Sequence, residues 1–123
     1  MTDPADELLD RQRLATLVDE IGDLDLVRQA VQTFLDEVPD RLAAIRVALA
    51  GGDGPELRNA AHALGSPAAM LGAVGISTVS KQLQAAALED RRDDARELVE
   101  QITEVTHRTQ VEMRDYLAGS ASA

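Results

Sequence analysis

The sequence predicts an all-α protein: an antiparallel four-helix bundle with an additional N-terminal helix packed across it. Three observations carry this. Ala, Leu, Glu, Gln and Arg dominate the 123 residues and runs of β-branched residues are absent, so local preference favours helix nearly throughout. Apolar residues recur at steps of three and four along successive stretches, the mark of helices with one buried face. Glycine, proline and aspartate divide these stretches with short connections, which makes consecutive helices antiparallel neighbours.

The first helix is expected from about residue 4 to residue 21, with Pro4 in its first turn and Leu8, Leu9, Leu14, Leu17, Val18 and Ile21 as its apolar positions. A second starts near Asp23 or Asp25 and ends at Gly51-Gly52. Its stripe is Leu24, Val27, Val31, Phe34, Leu35, Val38, Leu42, Ile45 and Leu49. Pro39 lies inside that stripe, whose period continues across it, so a kink is expected and not a break. The third helix has Asp53 as cap and Pro55 in its first positions, and runs to about Leu71. Gly72 and Gly75 mark a turn or close crossing into a fourth, with Ile76, Val79, Leu83, Ala86 and Ala87 inward. Glu89 to Asp94 is a charged connection. The fifth helix follows with Ala95, Leu98, Ile102, Val105, Thr109, Met113 and Leu117 as its stripe. Residues 1–118 thus form one domain, and residues 119–123 a small-residue tail expected to be disordered.

Composition then excludes whole classes of function. One Phe and one Tyr cannot build the core of a chain that is 45% apolar, so the core is aliphatic. The absence of Cys removes disulfides, thiolate metal sites and cysteine nucleophiles. A formal charge of −10 argues against a nucleic acid or an anionic membrane as partner. No apolar run approaches the roughly 20 residues that span a bilayer, and Met1 to Pro4 do not open a signal peptide; the expectation is a cytoplasmic protein. Gly51-Gly52-Asp53-Gly54-Pro55 is a turn and a helix start, not a phosphate loop. Two His without Cys disfavour structural zinc. Glu104 and His107 have the spacing of a di-iron bundle, but the second Glu-x-x-His is missing, since His62 has Asn59 three residues before it. No metal and no cofactor is expected. Any chemistry falls to a histidine, and His107, beside the stripe positions Val105 and Thr109, reads as a surface residue.

His62 stands out. Leu57, Ala61, Leu64, Ala68 and Leu71 form a narrow seam along the third helix, and at 3.6 residues per turn His62 lies roughly 140° from its centre, facing solvent. Arg58, Gly65, Ser66 and Ala69 share its face, with Gly72 beyond them. A solvated face usually carries long charged side chains; here small residues ring the imidazole, leaving a low patch that another protein's backbone could approach. Gly65 and Pro67 are costly in mid-helix, about 1 and 3 kcal/mol. Helix 3 either ends at Gly65 and restarts with Ser66 as cap, or continues with a kink; the seam keeps its phase from Gly65 to Pro67, which favours the kink.

The run Ala61-His62-Ala63-Leu64-Gly65-Ser66-Pro67-Ala68-Ala69-Met70-Leu71-Gly72-Ala73 resembles the signature of histidine-containing phosphotransfer (HPt) domains. There the phosphorylated His is followed by Leu at +2, Lys-Gly-Ser at +3 to +5, and an apolar residue, Gly and Ala at +9 to +11. Leu64, Leu71, Gly72 and Ala73 fit; Thr33 to Glu37 and Leu49 to Asp53 resemble the family's second helix and connector, so the similarity spans about residues 14 to 117. It implies a four-helix bundle with His62 as the phosphorylated residue, relaying phosphate between receiver-domain aspartates. The partners it implies are a hybrid histidine kinase and a response regulator, whose receivers bring the Mg²⁺. The carrier itself has no kinase activity and is expected to be a monomer. Gly65 stands where the family has Lys, so the phosphate's charge must be offset elsewhere, by Arg58 or by Lys81 on the next helix. Arg58, Gly65, Ser66, Ala69 and Gly72 are the expected stabilising or docking residues. Two rivals remain: a bundle that binds receiver or kinase domains without carrying phosphate, and a kinase dimerisation domain. The second expects a two-helix hairpin and polar neighbours beside the His, where this chain has Ala63.

Overall fold

Three aspartates start three helices. The Asp10 carboxylate accepts the N–H groups of Gln12 and Arg13, Asp23 those of Asp25 and Leu26, and Asp53 that of Glu56. The structure, a computed structural model, describes residues 7–122 and contains five helices among them: α1 Arg11–Ile21, α2 Leu24–Gly51, α3 Gly54–Met70, α4 Val74–Leu88 and α5 Arg92–Ser122. Gly22 and Gly52 close α1 and α2 with positive φ, where a residue with a side chain would be strained.

Helices α2 to α5 form the antiparallel bundle, with the most extensive pairing between α3 and α4, and α1 leans on α2. The core is aliphatic. Val27, Val31, Ile45, Leu64, Ile76, Leu83, Ile102 and Met113 are completely buried, Phe34 joins them, and Tyr116 packs at the edge. Both α2 and α3 run unbroken through their prolines, Pro39 and Pro67. The apolar phase decides this: ending either helix would expose the seam beyond the proline. No helix of the described residues is long and apolar enough to cross a membrane.

The ends differ from the sequence expectation. Residues 1–6, Pro4 among them, lie outside the described residues, and the first helix starts at Arg11, because Asp10 caps it there. Residues 7–10 are not helical. The Asp10 N–H donates to the Gly72 carbonyl at 2.7 Å and the Gly75 N–H donates to the Leu8 carbonyl at 3.4 Å. This strap therefore satisfies its backbone on the α3–α4 turn, and Leu9 is buried without being helical. Helix α5 begins inside the expected Glu89–Asp94 connection, with Asp93 and Asp94 in its first turn, where the helix dipole favours acidic side chains. At its other end α5 continues through Gly119 to Ser122, where a disordered tail was expected. No proline interrupts it, and one glycine costs a helix only about 1 kcal/mol.

Candidate functional site

Helix α3 buries Leu57, Ala61, Leu64 and Ala68. That phase leaves His62 exposed, with Arg58, Ser66 and Ala69 exposed on the same flank, all within about 80° on the helical wheel. The side chains of His62, Arg58 and Lys81 take part in no hydrogen bond or ion pair among the described residues. Lys81, the single lysine of the chain, is exposed on α4. An open imidazole with a free guanidinium one turn away can accept an electrophile and hold an anion beside it.

Two of the expected patch residues are not on the patch. Gly65 is buried in the α3–α4 interface, where a β-carbon would lie 2.6 Å from Ser80 Cβ and nearer still to the hydroxyl. Gly72 is buried in the turn after α3, with φ of +79°, and a β-carbon there would lie 2.7 Å from the Asp10 carbonyl oxygen. Both glycines serve close packing and turn geometry, so of the expected patch residues only Arg58, Ser66 and Ala69 remain on the open surface around His62. The wheel put Gly65 on the face of His62, and the approach of α4 is what covers it. A lysine at position 65, which the family resemblance leads one to expect, would press its β-carbon on Ser80 and require α4 to shift.

Ser80 is the residue that sequence reasoning missed. It is 1% exposed; its hydroxyl donates to the Ala61 carbonyl at 2.8 Å and accepts from Gln84 Nε2 at 3.1 Å. A signal was present, since Ile76, Ser80, Leu83 and Ala87 step by four, three and four, and place one hydroxyl in a core stripe.

The remaining charged groups lie elsewhere. His107 is exposed on α5 beside Arg46, whose guanidinium donates to the Thr103 hydroxyl at 3.4 Å. At the end of the bundle where the α2–α3 and α4–α5 turns meet, a cavity of about 170 Å³ has an apolar floor and an arginine rim. Those arginines are already paired, Arg91 with Asp94 and Glu89 and Arg96 with Asp93. Hydrogen bonds from Arg91 to Asp94 and then to Glu89 hold its pKa above the ordinary arginine value. No cluster of three or more metal-ligating side chains occurs among the described residues.

A helical bundle with an accessible histidine in mid-helix has the form of a phosphotransfer domain. The pattern of the Hpt domain family matches residues 29–121, and the chain belongs to that family of histidine phosphocarrier domains. It is similar to the crystal structure of histidine-containing phosphotransfer protein B (HptB) from Pseudomonas aeruginosa PAO1, at 25% identity and a TM-score of 0.83, over 95% of this chain and 97% of that one. No curated protein matches the chain.

Proposed function

We propose that this protein is a phosphoryl carrier that takes a phosphoryl group from the aspartate of one receiver domain onto His62 and gives it to another. The observation that carries this is the imidazole of His62, open on α3 and unpartnered among the described residues, within the stretch that matches the Hpt family. A neutral imidazole nitrogen attacks the aspartyl phosphate; the N–P bond forms as the acyl phosphate bond breaks and the carboxylate leaves. Such transfer is mostly positioning and charge neutralisation, and the receiver supplies Mg²⁺ and its acidic cluster. Ser66 and Ala69 leave room for the receiver to approach, and Arg58, or Lys81 from α4, offsets the charge of the phosphate. In this role the protein works as a cytoplasmic monomer between a hybrid histidine kinase and a response regulator.

The test is incubation with a phosphorylated receiver domain. Label that passes to the protein, is lost in acid and survives in base identifies a phosphohistidine, and His62→Gln should acquire none. That substitution should leave the melting temperature nearly unchanged, since exposed residues rarely contribute more than about 0.5 kcal/mol. The closed position 65 favours one rival, a bundle that binds receivers without carrying phosphate. Stable complex formation with no transfer of label would establish that rival.

A further inference from the structure

Resting on the reading of His62 as phosphoryl acceptor, we infer that Ser80 is a positioning residue for it, restraining the weak stretch of α3 that carries the imidazole. Two residues weaken that stretch, both within five positions of His62. Gly65 brings the conformational freedom of glycine to mid-helix. Pro67 has no N–H, so the carbonyl of Ala63 loses its donor four residues on. Yet α3 is continuous from Gly54 to Met70.

Ser80 ties this stretch down from outside the helix. Its hydroxyl donates to the carbonyl of Ala61, the residue before His62, at 2.8 Å. Gln84 donates to the same hydroxyl oxygen at 3.1 Å, which leaves the hydroxyl hydrogen for Ala61. The group is 1% exposed, so water does not compete for the bond. Its approach is possible only because position 65 lacks a β-carbon. Gly65 and Ser80 are therefore a matched pair: the glycine that softens α3 also admits the hydroxyl that restrains it. Transfer needs the reacting nitrogen in line with the breaking P–O bond of the aspartyl phosphate, and a misplacement of about 1 Å can cost two orders of magnitude. A turn free to open at Ala61 would move the imidazole away from that line.

The test is Ser80→Ala, read by saturation kinetics against a phosphorylated receiver and by amide hydrogen exchange. The transfer rate at saturating receiver should fall about tenfold, while the half-saturating concentration shifts by less than about twofold. Exchange at Gly65, Ser66 and Ala68 should quicken by about fivefold relative to Ile102 in the core. Pro67→Ala in the Ser80→Ala background returns a donor to the Ala63 carbonyl and should recover both quantities. A wild-type rate at saturation overturns the inference, as does faster exchange spread over the whole bundle that Pro67→Ala leaves uncured. A wild-type protein that acquires no label refutes the carrier reading itself and, with it, the purpose of the restraint; the exchange data separately report whether the restraint exists.

Discussion

The N–H of Asp10 donates to the Gly72 carbonyl at 2.7 Å, and a β-carbon on Gly72 would lie 2.7 Å from the Asp10 carbonyl oxygen. The strap before α1 and the turn after α3 thus fit against each other backbone to backbone. Arg13 adds to the seal, its Nε donating to the Met70 carbonyl at 3.2 Å. Gly72→Ala meets two penalties, a left-handed backbone of about 1–2 kcal/mol and a clash that only movement of the strap relieves. A fall in melting temperature of roughly 10 °C is expected, with phosphate uptake per folded molecule unchanged. Unchanged stability with lost transfer would return Gly72 to the docking surface.

Arg58 and position 65 form a linked test. Arg58→Ala should shorten the lifetime of the phosphorylated protein modestly, because the site is exposed and water competes for the charge. Gly65→Lys should not repair it. The lysine's β-carbon would press on Ser80, with an overpacking cost of about 1–3 kcal/mol, and the double variant should melt lower than Arg58→Ala alone. Phosphate lifetimes restored to the wild-type value in the double variant would show that α4 yields more readily than the packing implies.

Ala69 probes the approach of the receiver. It is exposed on the His62 flank, seven residues on and therefore two turns away. Ala69→Arg should slow transfer by about tenfold, or ~1.4 kcal/mol in the barrier, while the melting temperature holds, since Arg is a good helix former. Transfer at the wild-type rate would place docking on another face.

The helices were legible because their signals are local. Asp23, Asp53, Gly22 and Gly52 punctuate the chain where the helices begin and end, and the seam from Leu57 to Leu71 keeps one phase through Pro67. The exposure of His62 followed from that phase alone. What could not be read is non-local. A helical wheel gives the angle of Gly65 but not the height at which α4 crosses it, so a packing glycine looked like part of an open patch. Likewise Leu8 and Leu9 kept an apolar character that suits a helix or a strap equally. The choice fell to hydrogen bonds with Gly72 and Gly75, far along the chain. Ser80 was hidden for the same reason, its partner Ala61 being on another helix.

Thr106 offers a test of the core itself. Three threonines of α5 face inward or half inward. Thr103 and Thr109 donate to the carbonyls four residues back, Val99 at 2.8 Å and Val105 at 2.7 Å. Thr106 is completely buried and its hydroxyl has no partner among the described residues. Burying a hydroxyl without a hydrogen bond costs about 1–3 kcal/mol, and valine has nearly the same shape without the polar atom. Valine also loses little in a helix that already holds a β-branched residue at that position. Thr106→Val should therefore raise stability by about 1 kcal/mol, read as a melting temperature higher by roughly 4 °C. Denaturant unfolding should show the same gain with an unchanged slope, since the surface exposed on unfolding hardly differs. Phosphate uptake should stay at the wild-type rate, because Thr106 faces the core of α5 and His62 faces solvent on α3. A loss of stability would mean that the Thr106 hydroxyl finds a hydrogen-bond partner in solution, and the core around Ile102 and Met113 would then contain a polar contact worth locating.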